Sequence, residues 1–408
     1  MSHLWKLLVS FVLVVATALG GGASASAHRG PTDVIPGLPI YLALGDSIAN
    51  GQQSAPEVPG DYWATVAGWQ ANGYVAQFRD DLKSSLNCLP GKGWGTRPGC
   101  EHLQLVNLAR SAVPAMDGQP AKPGVTTTLL IAEQLPAATK LLKARNWDKN
   151  PRNDVEVVTL TVGGNDAFEP ITTACLAPDP SGCPAAIKAV FDLVSVNYSQ
   201  ILAQLRSAAG PDAQIMTMTY YNPVPYCALG QGSPSAGPFV DWVLQGGVLP
   251  GLGDLPVGFN DLIEIISAQY GATVADTYGA DLGDDDFVGG ADCLHPNKAG
   301  HTKIAAAFSE ALSAAGGTSR QADVRVKSIH HQSKLYVNVD PNLDRGFWEF
   351  TVQTKRANGS WRTLPKTYRT FGRGETRVLD FGKGIYRVEV KADHGYQGTT
   401  SSPVSLRR

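Results

Sequence analysis

Two apolar runs that stop at glycine constrain this fold more than anything else in the chain. Residues 39–44 are hydrophobic throughout and end at Gly45-Asp46-Ser47, and the β-rich residues 155–162 end at Gly163-Gly164. A short run that is apolar on both faces suits a fully buried strand, and the glycine marks where the backbone leaves the sheet. Residues 214–219 and 272–274 read as two further strands, with amphipathic helical stretches at 129–145, 185–209 and 262–270 between them and beyond. Asn297 stands where a cap belongs for a last helix over 298–314, in which Ile304, Phe308, Ala311 and Leu312 share one face. Strands alternating with helices predict a parallel sheet covered on both sides, with sites gathering at the carboxyl ends of its strands. Ser47 and Asn165 both fall there.

The pattern changes at 313–319, which reads as a short linker. Beyond it the helical period is lost and residues 335–339, 347–354, 376–381 and 386–392 alternate, with an Asn358-Gly359 hairpin signal before Trp361. Short strands punctuated by Gly and Pro predict an antiparallel β-sandwich. Charge divides at the same place. From Thr318 onward 17 Lys+Arg face 8 Asp+Glu, whereas the preceding part has 17 against 28, so the overall net charge of −2 conceals units of +9 and −11. With 408 residues, 43% of them hydrophobic, the chain can fill two cores. The expected division is a leader over 1–27, a catalytic domain over 28–316 and a β-sandwich over 317–408.

The leader reads as an export signal. His3 and Lys6 precede an apolar run over 7–19, and small residues end at Ala25-Ser26-Ala27, the pattern of a cleaved secretory peptide. That run is short for a membrane span, and no later stretch is long and apolar enough for one. The protein is therefore expected outside the cell. Six cysteines follow: Cys88, Cys100, Cys175, Cys183, Cys227 and Cys293. An even number in an exported chain favours disulfides over free thiols. Proximity and the surrounding Gly/Pro loops favour Cys88–Cys100 and Cys175–Cys183, leaving Cys227–Cys293. No pair has the C-x-x-C spacing of a zinc site, and Asp284-Asp285-Asp286 lacks the spacing of a calcium loop, so no metal is expected.

Serine is a poor nucleophile until a base removes its proton, so Ser47 needs a histidine. Of the eight present, His3 and His28 belong to the processed end and His330, His331 and His394 to the C-terminal unit. His102, His295 and His301 remain. Only His295 has a carboxylate three residues earlier in a Gly/Pro-bounded loop, Asp292, which can turn back to its ring. Pro296 keeps His295 out of the α region, and His301 lies inside the following helix and reads as structural. Attack on an ester carbonyl puts negative charge on its oxygen, which fixed donors must meet. Asn165, reached through two glycines, can offer its amide and Ser47 its backbone N–H, while Gly164 removes a Cβ that would obstruct close approach. Each piece has an ordinary reading as a turn or loop; the set, in this order, points to acyl transfer.

At this point the chain resembles the SGNH (GDSL-type) hydrolase family, in particular its secreted bacterial esterases and lipases. Ala43-Leu44-Gly45-Asp46-Ser47, Leu160-Thr161-Val162-Gly163-Gly164-Asn165-Asp166 and Asp292-Cys293-Leu294-His295-Pro296-Asn297 match that family's first, third and last blocks. The resemblance covers roughly 40–315. It implies a flavodoxin-like three-layer α/β/α fold, Ser47 as nucleophile, His295 as base and then acid, Asp292 as its partner and Asn165 in the oxyanion hole. The second block departs from the pattern. Asn107-Leu108-Ala109-Arg110-Ser111-Ala112 has alanine where the family's oxyanion glycine is expected, while Pro123-Gly124-Val125-Thr126-Thr127-Thr128 resembles the Pro-Gly-x-Thr-Thr form of the same block. An insertion over 111–122 with Gly124 as donor is expected, with Ala112 as the alternative. The C-terminal unit loosely resembles bacterial immunoglobulin-like modules.

The substrate expected is a carboxylic ester cleaved without a cofactor. The apolar residues 239–259, including Trp242, Val243, Leu244, Val248, Leu249 and Leu252, either line an acyl-chain groove or pack on the sheet. Lipid and other acyl esters are the first expectation and acetyl esters on carbohydrate the competitor. A surface-binding protein with a silent hydrolase scaffold is the rival from another class. The basic C-terminal unit either holds the protein on cell wall or anionic membrane or carries solvated strand faces. No nucleic-acid partner is expected, and a monomer is.

Overall fold

The structure, a computed structural model, describes residues 34, 38–85, 103–116, 119–148, 153–226, 233, 235–288, 293–315, 320–321, 323–329, 333–340, 347–371, 375–391 and 396–407. The leader, Cys88, Cys100, Cys227, Asp292 and the heart of the linker lie outside the described residues.

The chain before the linker is built on a five-stranded parallel sheet. Its strands are β1 (Ile40–Gly45), β2 (Gln104–Asn107), β3 (Val155–Thr161), β4 (Gln214–Met218) and, after a two-stranded hairpin of β5 (Gly247–Leu249) and β6 (Gly253–Leu255), β7 (Thr273–Ala275). The order is β2-β1-β3-β4-β7. Every residue of β1 and β3 is buried. Alternation on β1 fills two cores: Ile40, Leu42 and Leu44 point into one apolar cluster, Tyr41 and Ala43 into the other. The helices are α1 (Tyr62–Asn72), α2 (Tyr74–Ser85), α3 (Thr127–Glu133), α4 (Leu135–Asn146), α5 (Gly164–Cys175), α6 (Cys183–Ala209), α7 (Ala236–Gln245), α8 (Phe259–Gln269) and α9 (Lys298–Ala314). Residues of α3 to α8 pack in the first cluster, and those of α2 and α9 in the second. This is the three-layer α/β/α arrangement expected. The chain order reverses across β1, so the crevice above β1 and β3 is the switch point at which such sheets hold ligands.

Two elements differ from the sequence reading. The helical stretch at 129–145 is two helices, because Pro136 has no N–H to continue α3 into α4, and Gln134 stands at the break. The apolar stretch at 239–259 divides. Phe239, Trp242, Val243 and Leu244 pack in the core, whereas Val248 on the β5–β6 hairpin is 76% exposed. The expected last helix is α9, and Asn297 caps it by accepting from Ala299 N at 2.8 Å and Gly300 N at 3.2 Å. Cys175 and Cys183 form the expected disulfide, joining the end of α5 to the start of α6. Cys293 is also disulfide-bonded.

Among the described residues from Arg320 onward the regular elements are strands: β8 (Arg320–Gln321), β9 (Asp323–Ser328), β10 (Lys334–Asp340), β11 (Glu349–Lys355), β12 (Trp361–Arg369), β13 (Thr376–Asp380), β14 (Gly384–Val390), β15 (Tyr396–Gln397), β16 (Thr399–Thr400) and β17 (Val404–Leu406). Antiparallel sheets of order β13-β10-β9 and β12-β11-β14-β16 enclose a third core of Leu335, Val337, Val339, Trp348, Phe350, Val352 and Val388 with their neighbours. The hairpin at Asn358-Gly359 forms where expected, with Arg356 N donating to Ser360 O at 2.8 Å. A sandwich of this kind fits the alternation in the sequence. Among the described residues no helix is long and apolar enough to cross a membrane.

Candidate active site

Ser47 sits in the turn that follows β1, and the turn is locked before it begins. Gly45 has φ +147°, and a Cβ there would meet Thr161 O at 2.2 Å, so only glycine lets β1 leave the sheet beside β3. The buried Gln134 clamps the same residue: its Oε1 accepts from Gly45 N and its Nε2 donates to Gly45 O, each at 2.8 Å. Asp46 N donates to Thr161 O at 2.9 Å, and Asp46 Oδ1 accepts from Ile48 N at 3.0 Å. The turn closes with Gln52 N donating to Ser47 O at 3.0 Å.

His295 lies 248 residues downstream, with Nε2 at 2.7 Å from Ser47 Oγ. Its loop is held from both ends. Tyr221 Oη donates to Leu294 O at 3.1 Å, Phe287 pairs with Pro296, and Asn297 N donates to Asp286 O at 2.8 Å. Asp286 is the last residue of the acidic triplet, and it accepts from Lys303 Nζ at 2.7 Å as part of this brace. Asp292, the expected partner of His295, lies outside the described residues. Among the described residues no group of three or more His, Cys, Asp or Glu could hold a metal ion.

Asn165 opens α5 on the C-terminal side of β3 and is exposed. Its Nδ2 donates to Val125 O at 3.0 Å, which uses one of the two amide hydrogens and leaves the other for an incoming oxygen. Asp166 behind it is buried and accepts from Thr127 N at 2.8 Å and Thr127 Oγ1 at 2.7 Å, so the third block and the start of α3 are one hydrogen-bonded unit. Gly124 belongs to that unit: a Cβ on it would lie 3.0 Å from the Asn165 amide atoms. The chain between Arg110 and Gly124 is a hairpin excursion, paired at Val113–Lys122 and Met116–Gln119. Arg110 Nη1 closes its base on Pro123 O at 2.7 Å. That excursion spans the residues read as an insertion, 111–122, and the chain resumes at Gly124. Ala112, the alternative donor, is exposed at the root of the hairpin, where its carbonyl accepts from Tyr62 Oη at 2.9 Å.

Burial shapes the ionisation around Ser47. Desolvation pushes Asp46 up to about 6 despite its hydrogen bonds from Ile48 and Tyr220 and the nearby His295. His301 is wholly buried, accepts from Tyr74 N at Nδ1 (3.2 Å) and so donates from Nε2 to Gln52 O (3.1 Å). Burial lowers it to about 4, which keeps it neutral. It is the structural histidine the sequence suggested, and it braces the turn after Ser47. Tyr220 and Gln134 escaped the sequence reading. Neither lies in a recognisable motif; a buried polar residue near a strand end or helix break was the only clue.

A serine and an imidazole in hydrogen-bond contact at the switch point of a three-layer α/β/α sheet are what an acylhydrolase requires. Residues 43–303 match the GDSL-like Lipase/Acylhydrolase family, and the chain belongs to that family. A lipase from goat rumen metagenome is similar, at 18% identity and TM-score 0.41, over 67% of this chain and 97% of that one. A family two carbohydrate esterase from Clostridium thermocellum is similar at 13% identity and TM-score 0.35, over 68% of this chain and 63% of that one. The catalytic domain of the peptidoglycan O-acetyltransferase A from Streptococcus pneumoniae is similar at 13% identity and TM-score 0.26, over 68% of this chain and 95% of that one. No curated protein matches the chain.

Proposed function

We propose that this protein is an exported serine ester hydrolase that cleaves carboxylic esters through an acyl-enzyme. The observation that carries the reading is the 2.7 Å contact between His295 Nε2 and Ser47 Oγ. As Ser47 Oγ forms its bond to the ester carbonyl carbon, its proton passes to His295 Nε2. Asp292 holds the other ring nitrogen protonated and favours the imidazolium. The oxyanion is met by the Ser47 and Gly124 N–H groups and the Asn165 amide. Collapse breaks the ester C–O bond, and His295 returns its proton to the leaving alkoxide. A water then repeats the sequence on the acyl-serine, which releases the acid and restores Ser47. These groups suffice for acyl transfer without a cofactor.

Lipid or other acyl esters are the first substrate class. Acetyl esters on carbohydrate are the second, supported by the burial of Phe239, Trp242, Val243 and Leu244 in the core. Export rests on the leader and the paired cysteines, and attachment to cell wall or anionic membrane on the charge of the C-terminal unit. Turnover of p-nitrophenyl esters tests the activity. Ser47→Ala should lower kcat at least a thousandfold with melting behaviour retained. Retained turnover in that variant refutes the mechanism. Rates that do not rise from acetyl to palmitoyl esters would favour the acetyl ester reading.

A further inference from the structure

We propose that Tyr220 is a positioning residue whose hydroxyl ties the turn carrying Ser47 to the turn carrying Asn165 and so sets the gap between nucleophile and oxyanion donor. The inference rests on the serine hydrolase reading above and deepens it.

Tyr220 stands two residues beyond the end of β4, outside every motif of the sequence. Its hydroxyl donates to Asp46 Oδ2 at 3.0 Å and accepts from Gly164 N at 3.1 Å. A hydroxyl has one hydrogen, and an amide N–H can only donate, so the direction of both bonds is fixed. Asp46 immediately precedes Ser47, and Gly164 immediately precedes Asn165. The one phenol therefore reaches the neighbour of each reacting group. Below it, the two turns meet through Asp46 N and Thr161 O at 2.9 Å, at the level of the sheet. Tyr220 adds a second tie above the sheet, where the substrate carbonyl would lie.

The phenol is itself held. Asn260 Oδ1 accepts from Tyr220 N at 2.7 Å and Asn260 Nδ2 donates to Tyr220 O at 2.8 Å, while the Phe259 ring lies 5.8 Å away between centroids. Gly164 makes the approach possible, since a Cβ there would stand 2.9 Å from the Tyr220 ring. Burial, with the Asp46 carboxylate nearby, raises the phenol well above its ordinary value, so it remains a donor at any working pH. The groups that face Asp46 are Ile48 N, Tyr220, His295, Tyr74 and Tyr198. Of these, Tyr220 is the side chain that hydrogen-bonds the carboxylate's second oxygen. Its loss removes a bond that favours the charged form.

Tyr220→Phe keeps the ring and deletes both bonds. On p-nitrophenyl acetate its kcat should fall about tenfold to a hundredfold, with KM changed less than about twofold. Labelling of Ser47 by a fluorophosphonate probe should slow in parallel. In an Asp46→Asn background, where the carboxylate that Tyr220 ties is gone, Tyr220→Phe should cost less kcat than in wild type. Gly164→Ala, whose methyl displaces the phenol, should reproduce the loss, and it decides on the same readouts if Tyr220→Phe does not fold. A folded Tyr220→Phe protein with kcat within about twofold of wild type overturns the inference. So does a loss of kcat in Tyr220→Phe that is equally large in the Asp46→Asn background. Full activity in Ser47→Ala is a separate result: it removes the hydrolase reading, and this inference falls with it.

Discussion

Asp46 and His301 are buried ionisable groups on either side of the Ser47 turn, and burial acts on them with opposite sign. Asp46 rises to about 6 in the fold from 3.8, so between those values the folded chain binds the extra proton and stability falls as pH rises. His301 drops to about 4 from 6.5, so in that window the unfolded chain binds the extra proton and stability falls as pH falls. Each shift corresponds to on the order of 3 kcal/mol, and over pH 4 to 6 the two slopes largely cancel. Urea unfolding at pH 4, 5 and 7 separates them. Asp46→Asn, whose Oδ1 can still accept from Ile48 N, should gain stability over wild type progressively as pH rises from 4 to 7. His301→Asn should lose least at pH 4 and most at pH 7. A stability difference that stays constant with pH in both variants refutes the opposing-slope account. The arrangement keeps a charged carboxylate beside Ser47 at neutral pH with no net acid or alkaline penalty from the pair.

The elements that carry the site were legible in proportion to how little they depend on distant partners. β1, β3 and α9 announce themselves by unbroken apolar runs and a capping asparagine, and Ser47, Asn165 and His295 are found at the ends of those elements. α5 was hidden because it opens on Gly163-Gly164 and contains Pro170, local breakers that the packing of Ala167 and Ile171 overrides. β2 is only half-buried, and its Gln104-Leu105-Val106-Asn107 has too short a pattern to read alone. Gln134 and Tyr220 act through partners 89 and 174 residues away in sequence, which no local pattern can reveal. The Cys175–Cys183 bridge is the opposite case, a pairing set by nearness in the chain. It closes a loop of separation 8 between α5 and α6. Loop-closure entropy makes such a crosslink worth ~2.5 kcal/mol. Cys175→Ser with Cys183→Ser should lower stability by about that amount in urea unfolding. The kcat should be nearly retained, because the bridge fixes the far end of α5 and Asp166, Val125 and Tyr220 hold the near end. A large fall in kcat at full occupancy of the folded state would show that the site depends on the bridge.

Across the whole molecule, the cores are separate in sequence. Among the described residues, the two clusters that enclose the parallel sheet draw none from beyond Leu312, and the third draws none from before Val324. The charge follows the same division, +9 from Thr318 onward against −11 before it. Within the C-terminal unit Lys327 lies over Tyr336, Arg369 over Phe347, Arg377 over Phe371 and Arg387 over Trp361, at 4.1 to 4.8 Å from the ring centroids. A cation stacked on a ring keeps its full charge, so these contacts order the basic groups without neutralising them. Arg369 alone of the four is also paired with a carboxylate among the described ion pairs, Glu349 at 2.8 Å. Basic groups that keep their charge attract a polyanionic surface by long-range field, and salt screens that attraction over a Debye length of about 8 Å at physiological ionic strength. Ending the chain at Thr318 should leave kcat/KM for a soluble p-nitrophenyl ester within about twofold of the full-length value, because every group named in the mechanism precedes it. The same truncation should abolish retention on liposomes containing phosphatidylglycerol, and raising NaCl to about 0.5 M should release the full-length protein. Equal retention of the two proteins refutes the tether, and a collapse of soluble-ester activity in a truncated but folded chain refutes the independence of the catalytic unit.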